Sequence, residues 1–215
     1  MKKPFSVLCL MLALVVLLLP ATGYCYREKP DAVIEDSCAG GAKKILVTYD
    51  TKHGATAIVA KKIFDTLCDN ASDNATIDLI FVENLDADTI QDYDAIIIGS
   101  PIYIGKWLRG INKLLKRNHA SIAQIPSAFF VTCTYIGEDT PERQEYAKET
   151  YVGKNLKDYP DITPVDIGIL GGQFTFNELY PIEFFLMKLA GFEEGDFIDD
   201  AKIETWAKGA AEQLL

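Results

Sequence analysis

The stretch YDAIIIGS, positions 93–100, carries no polar side chain from Ala95 to Gly99. A strand that is apolar on both faces has to be covered on both, the condition of a strand in a parallel sheet flanked by helices. Runs of the same kind recur along the chain. KKILVTY (43–49), TIDLIFV (76–82), SAFFVTCT (127–134) and PVDIGIL (164–170) are short and rich in β-branched or aromatic residues. Between them the period changes to that of a helix. Ala60, Ile63, Phe64 and Leu67 share a face of IVAKKIFDTL, and Leu108, Ile111 and Leu115 share a face of LRGINKLLKRN. IETWAKGAAEQLL closes the chain with Ile203, Trp206, Ala207, Ala210 and Leu214 in phase. Strands alternating with helices in this way define a three-layer α/β domain. A chain of 215 residues suits one such domain with a full core.

The first segment is of another kind. MKKPFSVLCLMLALVVLLLPATGYCY starts with two lysines, runs apolar from Phe5 to Leu19 and reaches Pro20-Ala21-Thr22-Gly23. A basic start, an apolar run and a small-x-small site make up a secretory signal, so residues 1–23 are expected to direct export. The run is shorter than the roughly 20 apolar residues a membrane span requires. An uncleaved N-terminal anchor is the alternative to a cleaved signal peptide. Either way the chain is expected outside the cytoplasmic membrane, periplasmic or otherwise extracytoplasmic, soluble or tethered. Residues 24–42 are polar and contain Gly40-Gly41, which suits a linker, with the folded domain at 43–215.

Five cysteines are spread too widely for a disulfide framework or a zinc site. Cys38 can pair with Cys25 or with Cys68 in an oxidising compartment, and the sequence leaves both open. The net charge of −10 argues against a nucleic-acid partner, which selects a basic face. It suits solubility, or docking to basic redox partners.

In a parallel sheet of this class, ligands bind beyond the carboxyl ends of the strands. Three strand ends here are loaded with small and hydroxylated residues. The first holds Thr51, Lys52, His53, Gly54, Ala55 and Thr56 at the mouth of a helix. A helix N-terminus offers N–H groups and the positive end of its dipole, the threonines add donors, and Gly54 lets a ligand approach the backbone. The loop lacks both the Gly-Lys-Ser/Thr of a Walker loop and G-x-G-x-x-G, so a single phosphate fits better than a dinucleotide. The second end holds Ser100, Pro101, Ile102, Tyr103, Ile104, Gly105 and Lys106, followed by Trp107. Its aromatics, Tyr103 first and Trp107 next, can stack on a flat ring. The third holds Thr132, Cys133, Thr134, Tyr135 and Gly137, whose backbone and hydroxyls can meet the ring's polar edge. Cys133 reads as a buried small hydrophobe and His119 as a cation at a helix end. No catalytic acid or base and no metal ligand is assigned.

Taken together, Tyr-Asp-Thr-x-x-Gly-x-Thr at 49–56, Ile-Gly-Ser-Pro-Ile-Tyr at 98–103 and the strand ending Thr-Cys-Thr resemble the flavodoxin-like family. The resemblance covers about residues 43–215. Within the family, IGSPIYIGKW, IPSAFF and LGGQFTFNELYPIEFFLMKLAGF look most like the flavodoxin-type, menaquinone-dependent protoporphyrinogen dehydrogenase branch. It implies a doubly wound, five-stranded parallel sheet with FMN as cofactor. The phosphate would sit at 51–56, with the isoalloxazine flanked by 100–106 and 132–137. Asp50 is then expected to turn away from the phosphate or to cap a helix. Residues 50–56 also resemble, in everything except His53, the motif through which some exported flavoproteins carry FMN on a threonine.

PIEFFLMKLAGF, from Pro181 to Phe192, is apolar nearly all round. It reads either as a helix buried against the sheet or as an interfacial helix in contact with a membrane surface and a quinone. Three functions follow. The leading one is an FMN-binding redox protein that carries electrons between a donor and a quinone or exported acceptor. The others are a menaquinone-linked protoporphyrinogen IX dehydrogenase and a flavin-free flavodoxin-fold binding module.

Overall fold

The computed structural model describes residues 33–71, 75–103, 105–133, 140–174, 184–185, 188–189 and 194–214. The expected signal or anchor lies outside these residues. No helix among the described residues is long and apolar enough to cross a membrane.

Six strands form the main sheet: β1 (Asp36–Cys38), β2 (Lys43–Tyr49), β3 (Ala75–Phe81), β4 (Ala95–Pro101), β5 (Ser127–Cys133) and β6 (Asp166–Gly171). Their order is β1-β3-β2-β4-β5-β6. From β2 onward all pairings are parallel, with Val47 beside Leu79 and Ile97, and Ile97 beside Ala128. The apolar runs behave as their composition demands. Every residue of β5 is buried, as are Ile45 to Tyr49 of β2. β3 alternates instead, with Thr76, Asp78 and Ile80 on its less covered face, because only the short β1 lies outside it.

Helix α1 (Ala55–Ala71) joins β2 to β3, and α2 (Arg109–Ile122) joins β4 to β5. α3 (Pro141–Ala147) continues through a π-helical stretch, Lys148–Gly153, toward β6, and α4 (Asp200–Leu214) ends the described chain. The α1 crossover moves one way along the sheet, and the α2 and α3 crossovers move the other way. Right-handed crossovers therefore put α1 on one face and α2 and α3 on the opposite face. α4 packs beside α1, completing the three layers. The reversal between β2 and β4 is the switch point at which sheets of this class bind ligands.

The five-stranded parallel sheet anticipated from sequence is present, but among the described residues the sheet has a sixth strand. The sixth comes from within the expected linker. Asp36, Ser37 and Cys38 pair antiparallel with Leu79, Asp78 and Ile77. Side chains hold this strap in place. Tyr49 is fully buried, its hydroxyl accepts from the Ile34 N–H at 2.7 Å, and it donates to the Ile34 carbonyl at 2.8 Å. A Glu35 carboxylate oxygen accepts from the Phe81 N–H, and a disulfide joins Cys38 to Cys68 of α1. Burial raises the Tyr49 hydroxyl above the ordinary tyrosine range. A raised pKa stabilises the fold below the unfolded value, so this contribution is intact at neutral pH and lost only as pH climbs into the alkaline range. The helix from Pro141 onward is a second feature that sequence period did not reveal.

Beyond β6 the chain leaves through β7 (Gln173–Phe174) and returns through β8 (Gly195–Asp196), which pairs with it antiparallel. The excursion therefore begins and ends beside the carboxyl end of β6. Phe184, Phe185, Lys188 and Leu189 are its described helical residues, and all are exposed. At these positions the expectation of a helix buried against the sheet is corrected. The rest of PIEFFLMKLAGF lies outside the described residues.

Candidate functional site

The first loop is anchored from both ends. Its entry is Asp50, whose backbone N–H donates to the Gly99 carbonyl at 2.9 Å. The Asp50 side chain is fully buried and turns away from α1. A carboxylate oxygen accepts from the Gly110 N–H at 2.9 Å, in the first turn of α2. α2 needs this, because the residue at its own N-cap, Leu108, provides no side-chain acceptor. The fit is close: a Cβ on Gly110 would lie 2.4 Å from that oxygen, so only glycine admits it. The one carboxylate of the loop is thus spent on another helix, and α1 has no acidic residue in its first turn. Replacing Asp50 by alanine leaves the buried Gly110 N–H without its acceptor. The expected loss is ~1–3 kcal/mol in urea unfolding, with Asp50→Asn milder.

Within the loop the Thr51 hydroxyl accepts from the Gly54 N–H at 3.0 Å, closing the bend. Gly54 has φ +85°, a backbone that a Cβ would strain, and it leads directly into α1 at Ala55. Thr56 follows in the first turn, where the helix N–H groups are unpaired by geometry and the dipole is positive.

The three strand ends do converge. The Thr56 hydroxyl shares a 2.8 Å hydrogen bond with the Thr132 hydroxyl at the end of β5, and both residues are buried. The Ile102 N–H donates to the Thr132 carbonyl at 2.9 Å, tying the second strand end to the third. The Lys52 ammonium lies 3.8 Å above the centroid of the Tyr103 ring, tying the first to the second. Tyr103 is itself held by reciprocal backbone bonds with Lys106 (2.9 and 3.1 Å) across a turn in which Gly105 has φ +71°.

The expected contacts differ in what they are free to do. Ser100 is buried and committed to the fold: its hydroxyl accepts from the Leu108 N–H and donates to the Pro101 carbonyl, each at 3.0 Å. Pro101 ends β4, and Cys133 is buried at the end of β5, outside the disulfide. Lys106 and Gly105 are exposed on the rim, and His53 is partly buried in the first loop. Ile104, Thr134, Tyr135 and Gly137 lie outside the described residues. Trp107 is removed from the ring-stacking set. It is 5% exposed and stacks on Phe129 in the core, with centroids 5.7 Å apart and planes at 16°. His119 does lie in the last turn of α2, where its Nδ1 is 2.8 Å from an Asp161 carboxylate oxygen and away from the loops. That contact holds the Asp161 carboxyl below its ordinary range.

The arrangement defines a class: a doubly wound α/β domain whose switch-point loops form one cradle, suited to a ligand with a phosphate and a flat ring. The chain belongs to the flavodoxin domain family, whose sequence model matches residues 46–196. It is an FMN-type redox protein of flavodoxin-like fold, and its cofactor is FMN, as its membership of that family indicates. The residues fit that group, because the phosphate end has hydroxyls and a helix start with its single carboxylate turned away.

Among curated proteins the chain is similar to the protoporphyrinogen IX dehydrogenase [quinone] of Leishmania major. Identity is 23% over 165 residues, 72% of this chain and 67% of the other. Among solved structures it resembles a short-chain flavodoxin associated with a PDU bacterial microcompartment, with TM-score 0.51, 10% identity, and 81% of this chain and 100% of that one covered. It also resembles a flavo-diiron protein variant from Thermotoga maritima, with TM-score 0.51, 15% identity, and 82% of this chain and 37% of that one covered. At these identities the structural likenesses establish the fold alone.

Proposed function

We propose that this flavoprotein works outside the cytoplasmic membrane and carries electrons from a donor to a quinone dissolved in the bilayer. The observation that carries the reading is exposed apolar surface: Phe185 is 61% and Leu189 75% exposed. They lie on the excursion that leaves and returns at the carboxyl end of β6, the same sheet edge that bears the cradle. Apolar side chains exposed in this way suit contact with a membrane interface, where a lipid-soluble quinone is reached. The Cys38–Cys68 disulfide supports an oxidising compartment, in keeping with an export signal at 1–23. FMN supplies the electron chemistry when bound, while the chain binds it, orients it and keeps water from it. Thr51, Gly54 and Thr56 would hold the phosphate, with Tyr103 and the Thr132 end of β5 at the ring. In this reading FMN is held without a covalent bond, with Thr56 serving as a phosphate donor beside Thr132. Denaturation is expected to release the flavin and leave Thr56 unmodified in an intact mass spectrum.

The test uses the reduced, flavin-loaded protein mixed anaerobically with vesicles that hold menaquinone. Flavin absorbance near ~450 nm is expected to return with these vesicles and not with quinone-free ones. Phe185→Ser with Leu189→Ser is expected to lower vesicle co-sedimentation at least ~tenfold, since each buried apolar side chain contributes about 1.5–3 kcal/mol. Return of absorbance at the same rate in both vesicle types would exclude the quinone. A second reading, a menaquinone-linked porphyrinogen dehydrogenase, is favoured by the Leishmania major relative. Porphyrinogen oxidation coupled to quinone reduction by the same vesicles would establish it, whereas a carrier reduced only by a protein donor would not support it. Family membership favours either reading over a flavin-free binding module.

A further inference from the structure

We infer that Lys52 is a specificity-determining residue that couples recognition of the phosphate to opening of the ring site, so that the cradle selects FMN over riboflavin. The inference rests on the reading that residues 51–56 hold the phosphate and Tyr103 meets the ring. Its starting point is the Lys52 ammonium, 3.8 Å above the centroid of the Tyr103 ring. That is well inside the range of a cation–π contact. An ammonium at this height occupies the layer in which the atoms of a second, stacked ring would lie. A flat ligand that is to stack on this face of Tyr103 must first move Lys52.

The two partners differ in freedom. Tyr103 is fixed by its paired backbone bonds with Lys106 around the Gly105 turn. Lys52 ends a flexible four-carbon stem on a loop bend, between Thr51 and Gly54. It is therefore the lysine that gives way. A phosphate at the start of α1 would offer it a better partner, since an ammonium is drawn to a phosphate more strongly than to a neutral ring. A flavin bearing a phosphate thus draws Lys52 from Tyr103 and clears the face in the same event. Riboflavin makes the same demand on Lys52 and returns nothing for it.

The experiment titrates FMN and riboflavin separately into the full chain freed of flavin, for wild type, Lys52→Ala and Lys52→Arg. Two shifts are expected in Lys52→Ala. Riboflavin binds tighter by roughly two- to thirty-fold, the factor a cation–π contact represents. The ratio of FMN to riboflavin affinity falls by about ten-fold or more, the factor of one charge-assisted bond to the phosphate. Lys52→Arg keeps a cation at the end of a side chain of similar reach and is expected to follow the wild type in the direction of both. Riboflavin affinity that is unchanged or weaker in Lys52→Ala overturns the inference, and so does an unchanged ratio. If Thr51→Ala with Thr56→Ala leaves FMN affinity intact, the cradle reading itself fails. If that variant loses FMN while Lys52→Ala leaves riboflavin as it was, only the role of Lys52 falls. Thermal unfolding of the flavin-free Lys52 variants, expected to match wild type, separates these outcomes from misfolding, and that of the threonine variant shows that it is still folded at the titration temperature.

Discussion

Thr51→Ala combined with Thr56→Ala is expected to weaken FMN binding by roughly 10²–10⁴, with little change for riboflavin. Hydrogen bonds to a charged group contribute about 1.5–3 kcal/mol each, and every 1.4 kcal/mol is about a factor of ten. In the proposed phosphate site each threonine has a hydrogen to give. The Thr51 oxygen accepts the Gly54 N–H, so its own hydrogen remains to be donated outward, and its loss also loosens the bend before α1. Thr56 shares one hydrogen with Thr132, so the pair retains a second hydrogen for a ligand. Removing Thr56 leaves the buried Thr132 hydroxyl without that partner as well. Fluorescence titration of the two flavins checks the prediction. FMN affinity within about threefold of wild type would place the phosphate elsewhere.

Cys38→Ser with Cys68→Ser is expected to destabilise the domain by ~2–4 kcal/mol, and a reductant should do the same to the wild type. The disulfide closes a loop with a sequence separation of 30, which contains all of β2 and most of α1. Cross-linking a loop of that length removes about 3–4 kcal/mol of chain entropy from the unfolded state. Its folded-state task is to keep a three-residue edge strand on β3. Without it, the strap depends on the Tyr49 and Glu35 contacts and on a bond from the Ser37 hydroxyl to Asp78. Urea unfolding with and without reductant makes the measurement. A midpoint that does not move in the wild type would mean that the two thiols are not joined.

Much of the architecture was legible from period alone, because periodicity records burial and burial is imposed residue by residue along an element. The apolar runs Ala95–Ile98 of β4 and Ala128–Val131 of β5 had to lie on inner strands, and Ala60, Ile63, Phe64 and Leu67 had to face a core; all are buried. The loaded strand ends were legible for a related reason: in a parallel sheet, carboxyl ends share an edge whatever the strand order. What period could not supply was pairing across the chain. Asp50 stands beside the first loop in sequence, yet its carboxylate serves Gly110, which the strand order brings to it because β4 lies next to β2. Trp107 and Tyr103 are four positions apart, and only packing decides that one stacks on Phe129 while the other lies under Lys52. Cys38 had two candidate partners, and the antiparallel register of β1 on β3 settles it in favour of Cys68. The sequence by itself determined the class of fold and the sheet edge at which the loaded loops gather. The tertiary structure alone decided which of the loop side chains are spent on the scaffold, as Asp50, Ser100 and Trp107 are, because those choices depend on register and crossover, which join residues far apart in the chain.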